Sequence, residues 1–414
     1  MPSRIRPASS TTLALQNIRD DIILSLKAKY PTLAIYADLS KAYDTIKIPK
    51  LISKLRKQFN FTENTAQFFA TYFQNRQQST HTTHAQSSFL TITDGIPQGS
   101  TLSTTFFLLY INDIIHTVVN SKVYTYADDT TLIIKAPTVN ELQQTAEKEL
   151  TKLTNYFYNN NLKANPTKTV YTVLHPSPKP EDFQITVHGT TLQHTESAKL
   201  LGIYIDSDMK HTHTINNQIR KLHPIIQNLK YVAKLVPQKT MINIYNSHVL
   251  PHMTYCITVW GTTDTSKGYI KPMQQIQKKI IRILFKKPPR THTKPLMNKH
   301  KILSIYHLYT QRIATELWPH LNNPKKYQPE HKHKYTYVDE IHKYNTRQAT
   351  TKQLFTPHTH TTNPDPKLNP TPTTRQYTSV WNELPPHLRA ITDSLNDFKK
   401  KLKDHLLKLQ ANEQ

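Results

Sequence analysis

Two short apolar runs, residues 123–127 and 131–135, bracket Asp128 and Asp129, and this arrangement constrains the chain more than any other. β-Branched and aromatic residues on both sides of a short polar turn predict a hairpin, with both carboxylates at its tip. Like charges a few ångströms apart repel, and a divalent cation between them removes the repulsion. Hard oxygen ligands in this number suit Mg²⁺, which takes a few carboxylates together with substrate phosphates. A lone Asp-Asp pair is most often an ordinary solvated turn, so the reading depends on its company.

Two companions supply it. About 90 residues earlier, Ala34-Ile-Tyr-Ala-Asp38-Leu39-Ser-Lys-Ala-Tyr43-Asp44 ends a short apolar run on a carboxylate. The carboxyl ends of strands are where an open α/β sheet delivers functional groups. Between the two lies Gly95-Ile-Pro97-Gln98-Gly99-Ser100, which opens an apolar stretch at Thr101. A Gly/Pro-rich loop of this kind lets backbone approach a nucleotide, with a helix N-terminus behind it.

Along the chain, residues 1–210 alternate strand-like and helix-like patterns. Helical spacing of apolar residues predicts helices over 46–58, 63–75, 102–119 and 140–159. From 213 to 320 strand patterns disappear, and helices are expected over 215–235, 240–259 and 269–285, the last with the basic run Gln277-Lys-Lys-Ile-Ile-Arg-Ile-Leu-Phe-Lys-Lys287. That run reads equally as a solvated face and as a surface for nucleic acid. Residues 321–376, rich in Pro, Thr, His and Lys, lack periodicity and read as an extended connection. A last amphipathic helix is expected over 394–409.

Lys and Arg number 53 against 28 Asp and Glu, a net charge of +25, which points to a polyanionic partner. The single cysteine, Cys256, excludes a disulfide framework and cysteine-based zinc sites. The 22 histidines are scattered among threonines without paired metal-ligand spacing. Neither an N-terminal apolar run after the basic start nor an 18-residue apolar stretch is present, so no signal peptide or membrane span is expected, and the protein reads as intracellular, nuclear and/or cytoplasmic.

The order Asp38-Leu-Ser-Lys-Ala-Tyr-Asp, Gly95-Ile-Pro-Gln-Gly-Ser, Tyr126-Ala-Asp-Asp-Thr resembles motifs A, B and C of reverse transcriptases, in the version of jockey-like, non-long-terminal-repeat retrotransposons. Ile111-Asn-Asp113, Asn161-Leu-Lys-Ala-Asn-Pro-Thr-Lys168-Thr and Lys199-Leu-Leu201-Gly202-Ile-Tyr-Ile-Asp206 resemble the segment after the B helix, motif D and the primer grip. Tyr344-Asn-Thr-Arg347 and Trp381-Asn-Glu-Leu-Pro385 resemble the tail of these elements' polyproteins.

The resemblance implies an α+β fold: a right-hand polymerase palm, an antiparallel sheet with helices, followed by an α-helical thumb and a poorly ordered basic C-terminal region. It divides the chain into a remnant of the fingers (1–30), the palm (31–210), a thumb or connection (211–320), a linker (321–376) and a C-terminal element (377–414). It implies RNA-directed DNA polymerisation on an RNA template and a DNA primer, with dNTPs as substrates.

Asp38 and Asp128 would hold two Mg²⁺ ions, with Mn²⁺ as a substitute. Asp129 would support them more weakly, and the Leu39 carbonyl would complete one shell. Tyr43 matches the steric gate against a 2′-hydroxyl, and Pro97, Gln98 and Gly99 the contact to the incoming nucleotide. Lys168 would stand near the leaving pyrophosphate as a general acid, and Leu201 and Gly202 would position the primer end. Of the family's basic fingers only Arg4 and Arg6 remain, so the chain is expected to be a 5′-truncated element or a fragmentary gene model. Two readings stay open: a polymerase, or a catalytically silent remnant that still binds nucleic acid.

Overall fold

The computed structural model describes residues 10–165, 168–174, 183–262, 270–323, 335, 337–338, 350–355 and 371–413. The chain divides into two compact units, Met1–Ala14 with Ser25–Gly202, and Leu15–Leu24 with Ile203–Gln414.

Both units share the first helix, α1 (Thr11–Lys27), which leads into β1 (Thr32–Ala37). Every residue of β1 is buried, as its continuous apolar run demands of a central strand. The rest of the first unit follows as α2 (Ile48–Phe59), α3 (Glu63–Phe73), α4 (Ser103–Ile111), β2 (Ser121–Tyr126), β3 (Asp129–Lys135), α5 (Val139–Asn159), β4 (Val170–Leu174), β5 (Gln193–His194) and β6 (Ser197–Leu200). The main sheet has the order β5-β4-β1-β3-β2. β1 runs antiparallel to both neighbours, with Thr32 opposite Lys135 and Leu174.

Local chemistry sets the helix ends. Pro49 stands in the first turn of α2, where its missing N–H costs nothing, and Asn60 closes that helix in the left-handed region (φ 54°). Thr138 caps α5 by accepting from the Glu141 amide (3.2 Å). The buried stripe Leu142, Ala146, Leu150, Leu153 and Phe157 then turns α5 onto the core formed with Leu33, Ile35, Phe107, Tyr110 and Leu132.

The expected helix over 102–119 is shorter in the structure. It ends at Ile111 and continues as a 3₁₀ turn, Asn112–His116. Asp113 causes the change, since its carboxylate is drawn to Lys54, Gln58 and Tyr156.

Among the described residues from 203 on, the elements besides the strand Ile203–Asp206 and one isolated bridge are mainly helices: α6 (Thr212–Leu235), α7 (Gln238–Ile244), α8 (Leu250–Thr254), α9 (Ile257–Trp260), α10 (Lys271–Leu284), α11 (Lys294–Lys299), α12 (Ile305–Asn322), α13 (Pro372–Glu383), α14 (Pro386–Arg389) and α15 (Leu395–Asn412). One helix was expected over 240–259, and three are found. A π turn, Tyr245–Val249, separates α7 from α8, and Cys256 (φ 50°) separates α8 from α9. Pro251 explains the first break, because its ring clashes with the carbonyl four residues back.

α13 begins at Pro372, inside the stretch read as a connection. Leu354 in that stretch pairs with Tyr337, and most of 321–376, with Tyr344-Asn-Thr-Arg347, lies outside the described residues. Among the described residues no helix is long and apolar enough to cross a membrane.

Candidate active site

The hairpin turn is two residues long. Tyr126 pairs with Asp129 across β2 and β3, leaving Ala127 and Asp128 as the turn. Ala127 takes the left-handed conformation (φ 51°), which costs a non-glycine residue roughly 1–2 kcal/mol. Strain of this kind persists where the surroundings impose a geometry.

Asp38 follows Ala37, the last residue of β1 in register with Thr130 of β3. It therefore stands at the sheet end where β3 begins with Asp129. Burial raises the Asp129 carboxyl above its ordinary range, and the charges of Asp128 and Asp38 raise it further. Among the described residues, no three His, Cys, Asp or Glu side chains close into a group able to hold a metal ion. Asp128 and Asp38 nonetheless stand within electrostatic reach of Asp129. Carboxylate oxygens are the hard donor type that Mg²⁺ takes.

Leu39-Ser40 pairs antiparallel with Lys163-Ala164, and the Asn165 amide donates to the Asp38 carbonyl (2.9 Å). This folds the following segment back, so that Lys168 Nζ lies 3.6 Å from Asp38 Oδ2. Lys168 thus partners a site carboxylate directly.

The Gly/Pro loop packs on the residues after Asp38. The Gly95 amide donates to the Ile46 carbonyl and the Ile96 amide to that of Tyr43. Gln98 Nε2 donates to Asp44 Oδ1 (3.0 Å), and Ser103 Oγ to the Pro97 carbonyl (2.5 Å). Gly95 (φ +89°) has no room for a side chain, because a Cβ there would fall 2.9 Å from Asp44 Cα. Gly99 (φ +84°) faces open space. The half-buried Tyr43 stacks on Phe107 of α4, with centroids 5.1 Å apart. Leu201 (φ 47°) and Gly202 (φ 83°) form the turn after β6. β6 packs against β4.

One buried cluster escaped the sequence reading. Lys54 Nζ donates to Asp113 Oδ1 (2.8 Å) and to the Tyr110 carbonyl (2.6 Å). Tyr156 OH donates to Asp113 Oδ1 (2.5 Å) and Gln58 Nε2 to Oδ2 (3.0 Å). Burial lowers the Lys54 amine against the opposing pull of Asp113. Burial acts to raise Asp113, but hydrogen bonds from Lys54, Tyr156 and Gln58 outweigh it and hold the carboxyl below its usual range. The signal was present in the sequence: Lys54 occupies the apolar stripe of α2, three residues after Leu51.

The pattern of the reverse transcriptase (RNA-dependent DNA polymerase) family matches residues 3–205, which contain all these positions. Residues 3–205 belong to that family. Among curated relatives, the chain is 24% identical over 334 residues to the "Probable RNA-directed DNA polymerase from transposon BS" of Drosophila melanogaster, covering 76% of this chain and 36% of the relative. It is 21% identical over 290 residues to the RNA-directed DNA polymerase from mobile element jockey of the same organism, covering 67% and 31%. These names agree with a jockey-like, non-long-terminal-repeat element, and the chain spans about a third of either relative's length. A solved telomerase from Candida albicans, with a fragment of telomeric RNA, aligns at TM-score 0.37 and 14% identity over 70% of this chain and 52% of the telomerase, too loose a likeness to bear on the fold.

Proposed function

We propose that this chain extends a DNA primer on an RNA template, transferring a nucleotide from a dNTP to the primer 3′-hydroxyl. The observation that carries the reading is the meeting of Asp38, Asp128 and Asp129 at one end of adjacent antiparallel strands, with the charge of the first two felt at the third. Mg²⁺ ions held by these carboxylates, with Mn²⁺ as a substitute, would offset charge on the attacking and leaving oxygens of an in-line displacement at the α-phosphorus. The bond from that phosphorus to the bridging oxygen breaks, and pyrophosphate leaves.

The protein's own groups have separate tasks. Lys168, beside Asp38, offers an ammonium to the departing pyrophosphate and can pass it a proton. Tyr43, held against Phe107, presents a fixed ring where a ribose 2′-hydroxyl would collide. Pro97, Gln98 and Gly99 form the wall next to the nucleotide, with Gln98 anchored on Asp44. Leu39 offers its carbonyl to a metal, and Leu201 and Gly202 hold the primer end.

Primer extension on an RNA template with dNTPs and Mg²⁺ tests the reading, beside binding to the same duplex. Extension that disappears in Asp128→Ala with binding unchanged is the expected result. Salt-sensitive binding without extension in the unaltered chain would favour the remnant that binds and does not copy. Equal extension in the variant would sink the carboxylate assignment.

A further inference from the structure

We propose that the cleft between α2, the turn after α4 and the end of α5 is a second nucleic-acid site, which holds the sugar-phosphate backbone of RNA. It goes beyond the polymerase reading and does not depend on it. The cleft encloses about 400 Å³, and Lys50, Lys54, Lys57, Asp113, Tyr156 and Asn160 are among its walls.

Charge is the first argument. Lys50, Lys54 and Lys57 recur at i, i+4 and i+7 on α2, so they share one face over roughly 10 Å at 1.5 Å per residue. The one carboxylate in the cleft wall, Asp113, is already engaged by Lys54, Tyr156 and Gln58. Lys50 donates to the Asn159 carbonyl, which carries no charge, and Lys57 makes no ion pair among the described residues. Two cations therefore line the cleft without a counter-charge, spaced along a row as a chain of phosphates would require.

The second argument is an orphaned acceptor. Asn160 is 4% exposed, and its Nδ2 donates to the Tyr156 carbonyl (2.9 Å). Its Oδ1 is buried with no hydrogen-bond partner, and the residue lines the cleft. An inorganic anion offers nothing to that oxygen. A ribose does, because its 2′-hydroxyl is a donor beside the phosphate. DNA carries the same phosphates and lacks this hydroxyl.

The full chain, without dNTPs, is titrated with labelled single-stranded RNA and with DNA of the same sequence. RNA is expected to bind more tightly than DNA. K50Q/K57Q is expected to weaken RNA binding tenfold or more at low salt and to make the log–log salt slope shallower by about 1.4, two contacts at about 0.7 each for single strands. K399Q/K400Q, on exposed positions of α15, controls for the overall positive charge and is expected to have a smaller effect. Asn160→Ala is expected to bring RNA affinity down to that of DNA while leaving DNA affinity unchanged.

An unchanged slope in K50Q/K57Q, an equal loss in K399Q/K400Q, or equal RNA and DNA affinities in the unaltered chain would each overturn the proposal. Competition by polyglutamate as strong as by RNA would do so too. Should Asn160→Ala not fold, photocrosslinking of thiouridine-containing RNA decides. Crosslinks to the peptide containing Tyr156 support the site, and crosslinks confined to other regions overturn it. Asp128→Ala leaves this binding intact, so a failure of the polymerase reading is distinguishable from a failure here.

Discussion

At Asp129 three effects act in one direction: burial first, then the charges of Asp128 and Asp38, all raising the carboxyl. A folded state that favours the neutral acid contributes stability below the ordinary carboxylate pKa of about 3.9 and loses it as pH rises through the raised folded value. Asp129→Asn is therefore expected to raise the melting temperature at pH 7 and to leave it unchanged at pH 3. Added Mg²⁺ should close part of the gap by stabilising the unaltered protein, with all three carboxylates, more than the variant. Thermal melts at both pH values check this, and equal melting temperatures at pH 7 would mean that the repulsion is absent.

Gly95 offers a second test on single residues. Alanine there combines left-handed strain with a backbone clash at Asp44, and the expected loss is about 1–3 kcal/mol or more. At Gly99, where a Cβ meets nothing within 4 Å, only the conformational part remains. Urea unfolding of the two alanine variants should separate them, and equal losses would remove the close approach from the account.

Among the elements, the helices that depart from their sequence patterns do so at identifiable residues. Asp113 leaves the α4 pattern because Lys54 and Tyr156 compete for its carboxylate, and Pro251 forces the π turn before α8. The basic run on α10 is divided in its roles. Met273, Ile280, Ile281 and Leu284 face inward, and Arg282 is tied to the Thr291 carbonyl (2.8 Å), so that arginine is partly structural. Trp381 of α13 is fully buried, with its ring centroid 5.9 Å from that of Phe398 of α15. Trp381→Ala is expected to cost about 3–5 kcal/mol. Chemical denaturation measures it, and a loss below about 1 kcal/mol would show that the two helices do not depend on this ring.

Across the whole molecule, α1 matters most, because its middle belongs to the second unit and its last turn precedes β1 in the first. Arg19 and Asp20 build a buried polar network within the second unit. Arg19 donates to the Val259 carbonyl (2.8 Å), Thr373 Oγ1 (2.7 Å) and Gln376 Oε1 (2.8 Å). Asp20 accepts from the Thr373 amide (3.0 Å) and hydroxyl (2.7 Å). Arg19→Leu leaves several of these groups, including the Asp20 charge, short of a partner. The expected destabilisation is roughly 3–5 kcal/mol, with faster proteolysis at α13. A variant as resistant to protease as the parent would show that the network is dispensable.

Much of this was legible in the sequence. The alternation around Asp128-Asp129, the apolar run into Asp38 and the stripe of α5 are patterns with periods of two to four residues, and such patterns decide elements locally. They placed the carboxylates at strand ends before any pairing was known. Three things only the tertiary structure decided: that Lys54 meets Asp113, that Lys168 meets Asp38, and that residues 15–24 join a unit whose other members begin at Ile203. The partners in these cases are far apart in the chain, and no local period records which charge will find which. Burial makes an unpaired charge such as Lys54 costly, so it must find a partner, and only the folded chain determines which one.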